Sequence, residues 1–410
     1  MKQNLEISKM SNLTAGFAKF DEHVRRELST LFGRRALIFV LVFLVLATIF
    51  HITSNGIFLT PRNLSLLLRQ GAILAIIAGG VALLMINSEI DLSIGSSVFL
   101  CGVLAAHLTA TWNVPVLLAI VATIVFGMLL GLIQAFWVVV LGIPSFIATL
   151  AGLLAFRGIG LSWTNAGTVG PVPPEFIALS EGFIPLPISY TLLVAVLVAG
   201  VIFVYLQQKS MRKSRAISKQ AQIPKNQAIL LFGAKILVIA VPLIVLGWIV
   251  GGFQGIPMAI LWVVIVITLL TILMSKTTFG RNAYLVGASR DAAQYSGIGI
   301  RKTVFSGFII MGALYGVAGV LLTARLGSST PGAGQFMELD AIAAAVIGGV
   351  SLRGGTGSVV GAVMGAFLLT VINNGMSILN VSSFTQLIVK AVILIIALAF
   401  DAHILRKASR

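Results

Sequence analysis

From Ala259 to Met274 the chain runs sixteen residues without a charge, an amide or a glycine. Runs of this kind recur along its length, most close to the roughly 20 residues that a helix needs to cross a bilayer. Lipid offers the backbone no hydrogen bonds, so a chain built this way is left with helices or a closed β-barrel. Barrel strands alternate apolar and polar residues and do not run apolar throughout, which excludes the barrel. Composition agrees: 58% of residues are hydrophobic, only 10% are charged, and the mean hydropathy is +1.06. A soluble domain carries about 25% charged residues. The expected fold is an all-α polytopic membrane protein.

Spans are expected near 36–53, 66–86, 94–111, 115–141, 144–163, 189–206, 228–250, 256–275, 303–324 and 384–401. Residues 339–350 and 357–372 are shorter apolar stretches, neither long enough to span alone. They read as a re-entrant or broken pair, giving about ten transmembrane helices. The formal charge of +16 looks like a nucleic-acid signal, but 21 of the 28 basic residues lie in four polar segments, 1–35, 207–227, 276–302 and 402–410. The positive-inside rule puts all four in the cytoplasm. The expected layout is a cytoplasmic segment 1–35, a permease domain 36–402 with cytoplasmic loops 207–227 and 276–302, and a cytoplasmic tail 403–410. To keep that tail inside, 339–372 must count as zero or two crossings. No cleaved signal peptide is read, since the first 35 residues are too long and polar for its n-region. Cys101 is the only cysteine and no HxxxH pair occurs, so neither a disulfide nor a metal site is expected.

Two polar stretches interrupt this pattern. In 276–302, Ser289 is a good helix N-cap, Asp291 suits the first turn, and Gly297 can close the far end. Such a helix is marginal alone, and it reads either as a docking element or as an ordinary hairpin. Between two long apolar runs, Asn87-Ser88-Glu89-Ile90-Asp91-Leu92-Ser93 carries two carboxylates among hydroxyls and an amide. Ionisable groups and irregular backbone at membrane depth must face a cavity or other protein. The stretch is either a pathway lining or a cytoplasmic turn. Glu338 reads as a solvated loop edge or as part of an outer gate, and Arg157 as a group that snorkels or pairs with a carboxylate. Gly127 with Gly131, Gly312 with Gly316, and Gly357, Gly361 and Gly365 form faces of small residues suited to close packing.

The Asp291-Ala292-Ala293…Gly297 spacing resembles the "EAA…G" cytoplasmic loop of ATP-binding-cassette importer permeases, with Asp for Glu. Glu89-Ile90-Asp91-Leu92-Ser93-Ile94-Gly95-Ser96 resembles the "IDLSVGS" signature of ribose/xylose-type monosaccharide permeases. Further matching blocks are Ile143-Pro144-Ser145-Phe146-Ile147-Ala148-Thr149, Phe279-Gly280-Arg281, Glu338-Leu339-Asp340-Ala341 and Asn373-Asn374-Gly375-Met376. The "SEIDLS" form and the basic linker 207–227 look most like the xylose branch. The resemblance implies a homodimeric permease in the bacterial inner membrane, two copies of a separate ATPase that binds the ATP, and a periplasmic sugar-binding protein. It implies import of a monosaccharide, D-xylose or a related sugar, with no cofactor of its own. No GxxxxGK[ST] phosphate loop occurs, in keeping with ATP hydrolysis by a partner. The ATPase-coupling candidates are Arg281, Ser289, Arg290, Asp291, Ala292, Ala293 and Gly297. The pathway candidates are Asn87, Glu89, Asp91, Ser93, Phe146, Asp340, Asn373 and Asn374, the last two reading also, with Gly375, as a helix-ending turn. The rival reading is an ion-coupled secondary sugar transporter using Glu89 and Asp91. An enzyme is disfavoured, because no nucleophile–base pair or metal set stands out.

Overall fold

A computed structural model describes residues 34–217 and 225–408. Most of the expected segment 1–35, positions 218–224 of the basic loop and the last two residues of the tail lie outside them. The helices, in chain order, are α1 (Arg34–Thr53), α2 (Pro61–Ile86), α3 (Ile94–Ala106), α4 (Val116–Ala135), α5 (Ser145–Trp163), α6 (Pro174–Glu181), α7 (Leu186–Ile217), α8 (Lys225–Gly252), α9 (Met258–Lys276), α10 (Thr278–Ala288), α11 (Arg290–Tyr295), α12 (Ile300–Leu326), α13 (Met337–Ile347), α14 (Val359–Ile378) and α15 (Ser383–Ala408). Two-residue strands β1 (Phe183–Ile184) and β2 (Ile256–Pro257) pair antiparallel. Among the described residues, eight helical stretches are long and apolar enough to cross a membrane, and shorter apolar stretches lie in α1, α8 and α15.

The chain divides into two units, 1–45 with 185–255, and 46–184 with 256–410. In the first, α7 and α8 run antiparallel, since Gly251 near the end of α8 meets the Tyr190 hydroxyl in the first turns of α7. The second holds the polar features and is built around α12. Its packing on α4 explains two of the glycine pairs at once: they face each other. A Cβ on Gly127 would lie 2.3 Å from the Gly312 carbonyl oxygen, and one on Gly312 would lie 2.4 Å from that of Gly127. Without side chains there, the two backbones touch, which gains dispersion contacts where lipid provides no hydrophobic drive. Further along nearly the same face of α12, Gly319 meets Cys101 and the Val98 carbonyl of α3.

Both α3 and α4 end in one wide turn with i→i+5 hydrogen bonds, Trp112 to His107 and Leu141 to Phe136. A left-handed residue follows each (Asn113, φ 51°; Gly142, φ 72°), and then a proline that opens the next helix. Sequence reading placed the turns but not their shared form.

The stretch 339–372 departs from expectation. The first half is short, the eleven-residue α13, but α14 extends to Ile378 and its 20 residues can span alone. Asn373-Asn374-Gly375 does not end the helix, because Asn374 finds a partner inside the bundle. It exchanges amide hydrogen bonds with Asn63 of α2 at 3.0 and 3.1 Å. Such a pair is worth about 0.6 kcal/mol per bond in membranes. Further along, Gly71 meets Phe367 and Gly79 meets Val359, so α2 and α14 run antiparallel. Gly348 and Ala344 of the α13 end pack on Gly361 and Gly365. α13 therefore runs one way and α14 returns beside it, with the turns of 348–358 between them. The helix expected from 66 starts earlier, at Pro61, with the Thr60 hydroxyl accepting from the Asn63 N–H.

Candidate functional site

The 87–93 segment leaves the end of α2 and rises, extended, into the bundle. At one end it sits beside α11. At the other it reaches Tyr315, fifteen residues into α12, or about 22 Å along that helix at 1.5 Å per residue. Extended backbone inside a bundle must find its hydrogen bonds locally. Two hydroxyls of α5 supply them. The Ser145 hydroxyl accepts from the Ile90 N–H (3.2 Å). The Thr149 hydroxyl accepts from the Leu92 N–H (3.0 Å) and lies 3.3 Å from the Ile90 carbonyl, to which it can donate. The two sequence blocks at 89–96 and 143–149 thus form one structural unit. Asp91 is buried and bound on both oxygens, by the Ser93 N–H and hydroxyl (2.8 Å each) and by the Tyr315 hydroxyl. The Gln134 amide donates to Ser93, and Ser93 lies 3.1 Å from the Ser97 hydroxyl. Asn87 is buried beneath, its amide near the Leu83 carbonyl.

At the α11 end the segment is tied to two others. Ser88, left-handed at φ 62°, donates to the Arg353 carbonyl (2.7 Å), and its hydroxyl lies 3.1 Å from the Gly287 carbonyl. The Gly355 N–H donates to Ile86 O at 2.9 Å. Tyr284 of α10 donates to the Gly357 carbonyl at 2.9 Å. Any Cβ at Gly287 would fall 1.8 Å from Ile86 O, so glycine is required there. Across this junction Glu89, 3% exposed, pairs with Arg290, 53% exposed. Burial pushes the Glu89 carboxyl above the usual carboxylate range, against the opposing pull of Ser145 and Arg290.

Helix α11 forms as the sequence suggests: the Ser289 hydroxyl accepts from the Ala292 N–H at 3.2 Å, Asp291 is in the first turn, and Gly297 follows at φ 74°. Ala293 is buried against the protein, while Asp291, Ala292, Gln294 and Gly297 are exposed. Tyr295 is 92% exposed and was missed by sequence reading. Arg281 sits one helix earlier, in a groove on α10 with Tyr284 and Ser358.

The other candidates fall elsewhere. Phe146 is exposed on α5. Glu338 is no loop edge: it is 9% exposed and takes a hydrogen bond from the Gly95 backbone, because the 327–336 loop folds back against α3. Arg157 does not snorkel. It donates to the carbonyls of Ala333 (2.9 Å) and Pro331 (3.2 Å) and lies over the Phe99 ring. Asp340 pairs with Lys390 of α15 at 2.7 Å. Asp340 and Asn373 line a polar cavity of about 400 Å³, with Gln70, Thr370 and Gln386 among the other lining side chains. Asn374 serves the pair with Asn63 instead. The residues that sequence reading missed — Tyr315, Gln134, Gln70 and Lys390, with Ser145 and Thr149 noted only as members of a matching block — are mostly hydrogen-bonding groups inside apolar runs, and that cost at membrane depth was the available signal.

The family described as "Branched-chain amino acid transport system / permease component" matches residues 63–398. The xylose transport system permease protein XylH of Escherichia coli (strain K12) is 39% identical over 375 residues, 90% of this chain and 93% of that one. Its counterpart in Haemophilus influenzae is 39% identical over 366 residues, 89% and 95% of the two chains. The ribose import permease protein RbsC of Bacillus subtilis is 31% identical over 347 residues, 85% and 87%. No solved structure matches the chain.

Proposed function

The chain belongs to the branched-chain amino acid transport system permease family, and from that premise we propose that it is the membrane subunit of an ATP-driven importer of a monosaccharide, D-xylose or a related pentose. A member of this family is a multi-pass inner-membrane transport component and not an enzyme. The sugar assignment is carried by the likeness to xylose permeases over nine-tenths of the chain.

In this reading two copies form the conduit, each engaged by an ATPase subunit at α11. The exposed face of α11, with Tyr295 at its tip, docks the ATPase. The buried side, through Ala293 and the Glu89–Arg290 pair, passes the motion inward. Because the Gly355 N–H bonds the Ile86 carbonyl and the Ser88 hydroxyl lies against the carbonyls of Gly287 and Arg353, a pull on α11 reaches both the 87–93 segment and the stretch after α13. A small void of about 80 Å³ beside Glu89, Asp91 and Ile342 leaves α13 room to move against that segment. A periplasmic binding protein delivers the sugar at the far end. Both carboxylates of 87–93 already hold protein partners, which favours a mechanical role over a coupling-ion site.

The test is reconstitution in proteoliposomes with the ATPase and a sugar-loaded binding protein. D-xylose uptake is expected to require ATP and to ignore an uncoupler. Uptake that persists without the ATPase and collapses with the uncoupler would establish the ion-coupled transporter in its place.

A further inference from the structure

We infer that the cavity between α2, α12, α13, α14 and α15 is where the permease itself first binds the monosaccharide. This rests on the reading of the chain as a sugar permease and adds a site to it. At about 400 Å³ the cavity lies within the usual 300–1,000 Å³ range of small-molecule sites. It holds on the order of a dozen waters at about 30 Å³ each, enough for a pentose and part of its hydration shell. It lies at the end of the bundle opposite α11. Gln70 enters it from the first half of α2, on the side of the Asn63–Asn374 pair, whereas the last turn of α2 adjoins α11.

Beside the Arg325 guanidinium and a few aliphatic side chains, the lining offers the hydrogen-bonding groups that a polyol needs. Gln70, Asn373 and Gln386 each offer both donors and acceptors, and Thr370 adds a hydroxyl. The carboxylate of Asp340 is neutralised by Lys390, leaving a second oxygen to accept from a sugar hydroxyl. Asn373 Oδ1 is buried without a hydrogen-bond partner. A buried acceptor left empty is costly, and a ligand hydroxyl would satisfy it. No aromatic ring lines the cavity, so no sugar face can stack there. The site is therefore weak, as a conduit needs, because a tightly held sugar would not be released inward.

The experiment uses the complete permease–ATPase complex. Cys101 is fully buried, so Asn373→Cys introduces the sole accessible thiol of the permease chain, whose labelling is read on that chain alone. D-xylose at high concentration is expected to slow labelling of that thiol by a small polar reagent at least threefold, and leucine to leave it unchanged. Gln386→Cys repeats the measurement at a second wall. Separately, Asn373→Leu and Gln70→Leu are expected to cut D-xylose uptake about tenfold, equivalent to about 1.4 kcal/mol, while stimulated ATP hydrolysis continues. Labelling unaffected by D-xylose at both positions, or unchanged uptake in both Leu variants, overturns the site. Protection by leucine with no pentose uptake by the unaltered complex would overturn the sugar reading itself, a separate result.

Discussion

Glu89 and Arg290 are 201 residues apart and share one contact, in which a buried carboxylate meets a half-exposed guanidinium. Removing the cation strands a buried charge, which costs several kcal/mol in a fully dry site and less here because solvent reaches Arg290. Arg290→Ala is expected to destabilise the purified permease by about 1–2 kcal/mol, and adding Glu89→Gln to restore most of that loss. Thermal unfolding in detergent reads both, and a double variant as unstable as Arg290→Ala alone would remove the pair from the account. Thr149 poses a sharper case. Its hydroxyl accepts from the Leu92 N–H inside the bundle, so Thr149→Val leaves a buried donor empty at nearly constant volume. The expected loss is about 1–3 kcal/mol. The carboxylates and the short helix were legible in the sequence because charge and capping are local signals. Which residue answers each was not: nothing near Asp91 in the chain points to Tyr315, 224 positions on.

At the scale of elements, the apolar runs forecast most helices, and the glycine pairs forecast close packing without saying on what. Gly127 and Gly131 turn out to meet Gly312 and Gly316. A methyl group at Gly127 would press on the Gly312 carbonyl, so Gly127→Ala is expected to cost about 1–3 kcal/mol as α4 and α12 part. Gly158 of α5 has nothing within 4 Å of an added Cβ, and Gly158→Ala there should be neutral or stabilise by up to about 1 kcal/mol. Equal melting shifts for the two variants would contradict this packing. The misjudged length of α14 has the same origin. Its two asparagines look like a stop when only neighbours are considered, and they continue the helix because Asn63 lies across from them.

Across the whole molecule, three polar places of the second unit carry the functional reading: the junction at α11, the buried chain from Asp91 to Gln134, and the cavity at Asp340 and Asn373. If the bundle spans the membrane as proposed, the first and last open to opposite sides. Ala292→Cys should then react with a membrane-impermeant thiol reagent only from the cytoplasmic side, and Gln386→Cys only from the other; labelling of both from one side would refute this orientation. The sequence by itself determined that the chain is a helical membrane protein with a capped helix on a basic loop, since hydropathy, charge bias and capping act over a few residues. Only the tertiary structure decided that 87–93 is an extended thread held by α5, that Glu89 answers Arg290, and that Asp340 faces Asn373. Those pairings join groups from 33 to 201 positions apart, and burial there is stabilising only when the distant partner arrives.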